Sequence, residues 1–490
     1  MMVRVKTAVT LGMVISALTL SGCLSGGGGG SSSAPGPAPS DPVTEQQKRI
    51  QDGFFVIDEA QLPFDAAPAH ANTSRWHGVL DGAGYRVEVP ENWNGMLVMY
   101  AHGYRGETPD LTVDNPPMRD YLLREGYAWA ASSYSSNFYD VRAGVEDTNA
   151  LALAFNNIAE QNGRSLQTPT KYYITGVSMG GHVAGAAIER ETEETARNFV
   201  PYAGAAPMCG VMGDSELFNY FAAYNLAMFE FGGVPADSFP VTDVEQKLTA
   251  AREALWVDYE TDANVTGLTP AGLGLYATLQ NLSGGPRPIY PLAFGGFQGL
   301  LQGLAGDDGT ITGVLAEPVI DTTDITYRFQ TQPGQPLNAV EEGFNNRIAQ
   351  AVPANNANPI REDGVRLIPK VNGDLYADIP VVTIHTLGDL FVPIKMQQIY
   401  RQRMEENGWG DNLVQRAVRA PAHCDFSLAE FNATLEAMLQ WEQTGAKPGG
   451  DNLMDPAVMA DDDFGCTYTI DGPPQAIRAF MPPCSATSAL

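Results

Sequence analysis

The chain has 490 residues, enough for about three ordinary domains or for one large domain with a long insertion. It is 44% hydrophobic and 18% charged, which excludes a disordered chain, collagen, a coiled coil and a multi-span membrane protein. Its 57 acidic and 29 basic residues give a formal net charge of −28, which argues against binding to nucleic acid phosphates or anionic lipid headgroups.

The first predicted element is an export signal over residues 1–22, with a basic start and an apolar run too short to span a bilayer. It ends in Leu-Ser-Gly-Cys at Leu20–Cys23, which resembles the bacterial lipobox. There the peptide is cut before the cysteine, and the cysteine thiol then carries a diacylglycerol. The alternative is an ordinary signal peptide in which Cys23 occurs by chance.

Residues 23–44 are rich in Gly, Ser and Pro, a composition that predicts a flexible tether. The residue after Cys23 is Leu24 rather than Asp. In such lipoproteins this resembles sorting to the outer membrane rather than to the inner membrane. We therefore expect an exported protein that is lipid-anchored to the cell envelope at the outer membrane or released into the medium. Membrane contact is then made only through the anchor at Cys23.

From residue 45 the composition is globular, and predicted strands alternate with predicted helices. Most of the strands are continuous apolar runs, as expected for strands that are buried on both faces. The alternation predicts βαβ units and an α/β fold with a mostly parallel central sheet flanked by helices. The alternating pattern of residues 84–90 is that of an edge strand. The other predicted strands cover residues 96–101, 127–132, 172–176, 199–205, 379–385 and 413–419. The predicted helices cover residues 118–125, 144–161, 180–195, 394–407 and 427–444.

The alternation stops over residues 210–376, where Gly, Pro and Asn are frequent and helical signals are mixed with irregular ones. We interpret this stretch as a large lid or cap insertion. It divides one core into a first part, residues 45–209, and a second part, residues 377–445. Residues 446–490 form a C-terminal extension.

A strand, the motif Gly-Val-Ser-Met-Gly and a helix follow one another around Ser178. The glycines allow a turn sharp enough to raise the hydroxyl above the sheet, and the helix directs its N-terminal N–H groups toward that hydroxyl. A serine alone is a weak nucleophile and needs a base that is oriented by an acid. The strand–turn–helix context favours a nucleophile over a chance glycine-rich loop.

The acid and the base are expected downstream, each on a loop that follows a strand. Asp389 follows one predicted strand and His423 follows the next, which gives the order Ser, Asp, His. Asp425 is the alternative acid, but it lies only two residues from His423. Three other histidines are interpreted as packed or structural: His102, His182 and His385.

The early strand over residues 96–101 leads into His102-Gly103-Tyr104. This turn resembles the His-Gly-x turn of lipases and esterases, where the N–H after the glycine binds an oxyanion. The resemblance implies that the backbone N–H groups of Tyr104 and Met179 form the oxyanion hole.

Together these motifs resemble secreted bacterial serine hydrolases of the α/β-hydrolase fold, in the esterase, lipase and prolyl-oligopeptidase neighbourhood. The resemblance covers residues 80–209 and 377–445. It implies that Ser178 attacks an ester carbonyl and forms an acyl-enzyme, without a metal or an organic cofactor. The His423-Cys424 pair also resembles tannases and feruloyl esterases, whose second cysteine precedes the serine. Val177 occupies that position here, so the pattern is broken.

The sequence therefore favours a carboxylic ester hydrolase whose substrate is a small-molecule or polymeric ester with an apolar acyl or alcohol part. A secreted serine peptidase on the same fold is the alternative, and a non-catalytic binding lipoprotein is a third class. Phe221 and Phe294 are predicted to line the apolar site. The alternative is that the two apolar stretches that contain them form the core of the lid. The acidic turns at residues 307–309 and 461–463 are interpreted as solvated turns rather than calcium sites.

Four cysteines remain beyond Cys23, an even number that predicts two disulfides in an oxidising compartment. The loops that carry Cys209 and Cys424 are expected to emerge at the same end of the sheet, so we predict a bridge between them. Cys466 and Cys484 in the C-terminal extension would form the second bridge. The alternative is four free, buried thiols.

Overall fold

The computed structural model describes residues 53–306, 319–355, 357–358, 366, 368–470, 478 and 481–485. The predicted export signal, the tether with Cys23 and the acidic turn at residues 307–309 lie outside this set. Within it, no helix is both long and apolar enough to cross a bilayer.

Strands of the described chain form one large sheet and one short pair. In chain order they are β1 (Val56–Ile57), β2 (Ser74–Leu80), β3 (Ala83–Val89), β4 (Met96–Ala101), β5 (Asp110–Leu111), β6 (Ala128–Ser132), β7 (Lys171–Val177), β8 (Tyr202–Met208), β9 (Val381–Thr386) and β10 (Leu413–Val418). β1 pairs with β5, and the eight-stranded sheet has the order β10-β9-β8-β7-β4-β6-β3-β2. β3 is antiparallel to both of its neighbours, and the other pairs are parallel. The predicted mostly parallel sheet is thus confirmed.

Helices cover both faces of the sheet. They are α1 (Arg119–Arg124), α2 (Val141–Gln161), α3 (Met179–Ala186), α4 (Arg190–Thr195), α5 (Glu216–Phe231), α6 (Val244–Leu255), α7 (Pro270–Leu282), α8 (Tyr290–Gln302), α9 (Ala339–Asn345), α10 (Lys395–Glu406), α11 (Leu428–Thr444) and α12 (Pro456–Met459). On one face α2 and α3 pack around Leu97 and Met99, and on the other α1 and α11 pack around Val98 and Tyr100. Successive residues of β4 therefore serve two separate cores, as the alternation of side chains along a strand requires.

Two local predictions need correction. We predicted residues 84–90 as an edge strand, but β2 pairs with β3 and forms the edge itself. β2 lacks an apolar run because it is covered on one face only, with Trp76 buried and His77 exposed. The helix predicted over residues 180–195 is divided into α3 and α4, because the buried Glu189 accepts hydrogen bonds from the N–H groups of Gly373 and Asp374 at 2.9 and 3.0 Å.

Between β8 and β9 the chain is mainly helical. α5 packs against α6, α7 and α8, and its apolar residues belong to the same core as α2 and α3. A buried aromatic group joins these helices: Phe218, Tyr224, Trp256, Tyr290 and Phe294.

The C-terminal extension is tied to the second half of the sheet. A disulfide joins Cys466 to Cys484, with 5.9 Å between their Cα atoms. Arg478 donates two hydrogen bonds to Glu430 in the first turn of α11, at 3.1 and 3.0 Å. Arg419, directly after β10, donates to the carbonyl oxygen of Pro482 at 3.0 Å. These contacts fix the chain on both sides of the loop that carries His423.

Candidate active site

Ser178 stands on a tight turn between β7 and α3, with φ 60° and ψ −122°. A positive φ is uncommon for a residue with a side chain and persists only where the surroundings enforce it. Here the enforcement is steric. A Cβ atom on Gly176 would lie 2.0 Å from the Gly180 carbonyl oxygen, and one on Gly180 would lie 2.0 Å from the Ala101 carbonyl oxygen. Both glycines of the motif are therefore needed to bring α3 so close to β4 and β7.

The structure brings Ser178, His423 and Asp389 together in a chain of two hydrogen bonds. His423 Nε2 lies 2.8 Å from Ser178 Oγ, and His423 Nδ1 lies 2.5 Å from Asp389 Oδ2. An ionised carboxylate only accepts hydrogen bonds, so the proton of the neutral imidazole belongs on Nδ1. Nε2 is then free to accept the serine proton, which is the tautomer that nucleophilic catalysis needs.

The Asp389 carboxylate is fully buried and is held on its other side by the backbone. Its Oδ1 atom accepts hydrogen bonds from the N–H groups of Phe391 at 3.0 Å and Val392 at 2.8 Å. Hydrogen bonds to the charged form stabilise that form against the cost of burial. One oxygen thus anchors the carboxylate, and the other remains for His423.

The alternative acid, Asp425, is directed elsewhere. Its carboxylate lies 3.3 Å from Arg478 Nε and makes no contact with His423 that the structure shows. Burial raises the pKa of Asp425, and Arg478 opposes that rise. The structure therefore brings Asp389 rather than Asp425 to the base.

The other buried histidines are packed, as the sequence indicated. His182 lies on α3, with its ring nitrogens 3.0 Å from the Tyr139 hydroxyl and 2.8 Å from the Pro369 carbonyl oxygen. Burial lowers the pKa of His182 to about 4, so this ring is uncharged at neutral pH. His385 lies in β9, and its Nε2 atom donates to the Val392 carbonyl oxygen at 2.7 Å.

His102 braces the turn that precedes Tyr104. Its ring nitrogens lie 2.7 Å from the Gly103 carbonyl oxygen and 3.0 Å from the Ser133 carbonyl oxygen, and its ring stacks on Tyr134. Burial lowers the pKa of His102 to about 4. Since a neutral imidazole has one N–H group, it donates to one of these carbonyls at a time.

The turn after His102 passes close to Ser178. A Cβ atom on Gly103 would lie 3.2 Å from Ser178 Cβ. Tyr104 is the next residue and is half-buried. Met179 is the first residue of α3, so its N–H group has no partner inside the helix. Met179 thus follows Ser178 in the sequence, and Tyr104 follows Gly103, which lies close to Ser178. The oxyanion role of both N–H groups stays a prediction.

A disulfide joins the loop after β8 to the loop that carries the base. It links Cys209 to Cys424, with 5.4 Å between their Cα atoms. Cys424 Sγ lies 3.3 Å from His423 Nε2, so the bridge is in contact with the imidazole. Both pairings expected from the sequence are present in the structure.

Phe391 is the aromatic residue beside the base. Its ring centroid lies 5.5 Å from that of His423, and it stacks on Phe221 at 5.6 Å. Phe221 is 3% exposed and therefore stands behind Phe391. Phe391 was not among the residues predicted from the sequence, although an aromatic residue two positions after Asp389, on a loop that follows a strand, was a usable signal.

Phe294 is placed differently from the prediction. Its ring is fully buried and contacts Trp256, Tyr276 and Tyr290. In this conformation it offers no surface to a substrate. The structure places Phe294 in the core of the helical segment, which was the alternative interpretation.

Gly180 provides a direct test of the turn. We expect Gly180→Ala to lower the free energy of unfolding by about 3 kcal/mol, because its methyl group would overlap the Ala101 carbonyl. Gly296→Ala on α8 is the control, since a Cβ atom there meets nothing within 4 Å. It should raise that free energy by about 0.5–1 kcal/mol through better helix propensity. Chemical denaturation measures both, and equal stabilities for the two variants would contradict the steric account.

No cluster of three or more His, Cys, Asp or Glu side chains that could hold a metal ion is found in the described part of the chain. In the acidic turn at residues 461–463, the Asp461 carboxylate accepts a hydrogen bond from the Asp463 N–H at 2.9 Å.

Comparison with known proteins gives one relative of known activity and several structural neighbours. No family model matches the chain. It is 25% identical over 411 residues to o-phthalyl amidase of Xanthobacter agilis. The matched region covers 75% of this chain and 87% of the amidase. Feruloyl esterase B from Aspergillus oryzae has 16% identity and a TM-score of 0.43, covering 79% of this chain and 86% of that one. The rice cell wall degrading esterase LipA from Xanthomonas oryzae has 15% identity and a TM-score of 0.34, covering 74% and 85%.

The loops that carry the three residues follow β7, β9 and β10. Because these strands are parallel, their carboxyl ends meet at one edge of the sheet, and that edge is where an open α/β sheet binds its ligand. The second strand from one edge is reversed, and a serine follows a central strand on a turn that only glycines permit. This architecture is that of the α/β-hydrolase fold.

Proposed function

We propose that the protein is a serine hydrolase that cleaves carboxylic esters through an acyl-enzyme. The observation that carries this proposal is the pair of hydrogen bonds from Ser178 through His423 to the buried Asp389. A hydroxyl becomes a nucleophile when an oriented base takes its proton, and this arrangement supplies both the base and its orientation.

In the proposed reaction Ser178 Oγ attacks the ester carbonyl while its proton moves to His423 Nε2. Asp389 stabilises the imidazolium, and the N–H groups of Met179 and Tyr104 receive the oxyanion. Each such donor contributes about 3 kcal/mol to the transition state. His423 then protonates the departing alcohol, and a water molecule repeats the sequence on the acyl-enzyme.

We further propose that the apolar part of the substrate lies against Phe391. This ring meets His423 edge-on and is backed by Phe221 of α5. α5 belongs to the segment between β8 and β9, which we propose as the cap of the site. An apolar wall there favours an acyl or alcohol group with a hydrocarbon part.

Hydrolysis of amides is the second candidate. It is favoured by the 25% identity with o-phthalyl amidase, which extends over 87% of that protein. The same three residues can cleave an amide, because His423 would then protonate the departing amine. A serine peptidase is one form of this second function.

Export and a lipid anchor at Cys23 remain part of the proposal. The lipobox-like sequence supports it, and two disulfides are typical of an oxidising compartment. Mass spectrometry of the mature N-terminus tests it, since an unmodified Cys23 would contradict the anchor.

The deciding experiment compares p-nitrophenyl esters with acyl-matched nitroanilides, with Ser178→Ala as the blank. We expect kcat/KM for esters to exceed that for the matched anilides. From acetate to octanoate kcat/KM should rise by a factor that corresponds to about 0.8 kcal/mol of binding free energy for each buried CH₂ group, until the site is full. In Phe391→Ala this rise should flatten.

Two outcomes would contradict the ester proposal. Faster cleavage of anilides than of matched esters would select the amidase function. No turnover of either class by a folded protein would remove both candidates. An acyl series unchanged by Phe391→Ala would contradict the apolar wall alone.

A further inference from the structure

The loop that carries Asp389 is held by buried side chains at backbone carbonyls on both sides of that residue. Two of these side chains come from the segment between β8 and β9 and one from β9 itself. The three hydrogen bonds are Arg287 Nε to Leu387 O (2.5 Å), Tyr220 Oη to Leu390 O (2.9 Å) and His385 Nε2 to Val392 O (2.7 Å). The position of the acid thus depends in part on two residues, Arg287 and Tyr220, that lie far away in the sequence.

Arg287 differs from the other two because it carries a permanent charge. It is 3% exposed, and besides Leu387 it donates to the Gly285 carbonyl oxygen at 2.8 Å and to Ser283 Oγ at 3.0 Å. All three acceptors are uncharged, and no ion pair of Arg287 is found within the described residues. A buried cation without a paired carboxylate is costly, so its retention calls for a reason.

The charge that compensates Arg287 in part is that of Asp389. Burial lowers the pKa of Arg287, whereas Tyr290, Tyr220 and the Asp389 carboxylate act in the opposite direction. Arg287 therefore interacts with the acid in two ways. It donates a hydrogen bond to the backbone of Leu387, and its charge attracts the Asp389 carboxylate.

We propose that Arg287 is a positioning residue for Asp389, which fixes the loop before the acid through its hydrogen bond to the Leu387 carbonyl oxygen. This inference rests on the proposed function of the site. An acid that is out of place no longer orients the imidazole, so the effect of Arg287 should reach Ser178 through Asp389 and His423.

The other titratable groups around the pair are uncharged at neutral pH or are paired. Burial raises the pKa of the three tyrosines around Arg287, and it lowers the pKa of His385, which lies 3.8 Å from Asp389. These tyrosines are Tyr220, Tyr276 and Tyr290. Cys424 is bonded to Cys209, and Asp425 lies against Arg478. Asp389 is therefore the carboxylate that acts on the Arg287 charge.

The chain offers a matched control in Arg164. This arginine also donates to two backbone carbonyls and a serine hydroxyl, namely Val89 at 3.1 Å, Pro90 at 2.8 Å and Ser74 at 2.9 Å. Its partners belong to β2 and the end of β3, at the edge of the sheet opposite to β10. Arg164→Gln removes the same kind of contact without removing a charge beside Asp389.

The experiment measures the rate at which a fluorophosphonate labels Ser178, followed by mass spectrometry, together with kcat and KM for a p-nitrophenyl ester. We expect Arg287→Gln to lower the labelling rate and kcat by about tenfold or more while KM stays within a few-fold, because a displacement of about 1 Å at a reacting group can cost about 100-fold in rate. Arg164→Gln should leave the labelling rate, kcat and KM unchanged.

An unchanged labelling rate in folded Arg287→Gln protein would overturn the proposal. Should that variant not fold, Arg287→Lys takes its place. Lysine keeps the charge but cannot donate to Leu387, Gly285 and Ser283 in the same geometry, so a smaller loss of rate is expected, and no loss would again count against the proposal. Labelling needs neither an ester nor an amide substrate, so the result stands whichever of these the protein cleaves. A native protein that is not labelled at Ser178 would instead contradict the proposed function.

Discussion

Replacing Ser178 or His423 by alanine is expected to abolish ester hydrolysis while leaving the melting transition nearly unchanged. Asp389→Asn should lower kcat by about 10⁴. The structure gives the reason, because two backbone N–H groups point at Oδ1 and will keep the amide oxygen there. The amide NH₂ then faces His423 Nδ1 and forces the proton onto Nε2. The base is thereby held in the wrong tautomer toward Ser178.

The matched control for this substitution is Asp425→Asn. Asp425 is also buried, but it contacts Arg478 rather than the base. We expect it to lower the melting temperature and to leave kcat within a few-fold of the native value. Rate measurements on folded protein separate the two effects. Full activity in Asp389→Asn combined with a large loss in Asp425→Asn would show that the acid had been assigned to the wrong residue.

Removal of the Cys209–Cys424 bridge is expected to lower kcat by up to about 100-fold. The bridge joins the His423 loop to the end of β8 and touches the imidazole, so its loss allows the base to move relative to Ser178. A displacement of about 1 Å at a reacting group can cost about 100-fold in rate. The variant is the double substitution Cys209→Ser and Cys424→Ser, assayed at a temperature where it remains folded.

The second disulfide supplies the comparison. Cys466 and Cys484 are 18 residues apart in the C-terminal extension, and their removal should reduce stability by about 3 kcal/mol through the lost loop constraint. It should leave kcat unchanged. Equal losses of kcat in both double variants would mean that general loosening, and not the base, limits the rate.

The positions that could be predicted from the sequence are those whose role follows from the residues next to them in the chain. β4 is an apolar run buried on both faces, and Ser178, Asp389 and His423 each lie on the loop that follows a strand. β2 was missed because a strand covered on one face has no continuous apolar run.

Contacts between distant segments could not be predicted in this way. Arg287 lies 100 residues before Leu387, and nothing in its own neighbourhood indicates that contact. The helical spacing of aromatic residues likewise shows that a helix has an apolar face. It does not show whether that face meets a substrate, as Phe294 in the core of the helical segment illustrates.

The disulfide beside His423 also bears on how the protein has to be prepared. A chain produced among the reduced thiols of a bacterial cytosol would fold around the same apolar cores but lack this bond. Circular dichroism and gel filtration would then report a native protein whose specific activity is low. The fraction of molecules that contain the bridge then sets the fraction that is fully active. Free thiols should therefore be titrated in each preparation whose rates are compared.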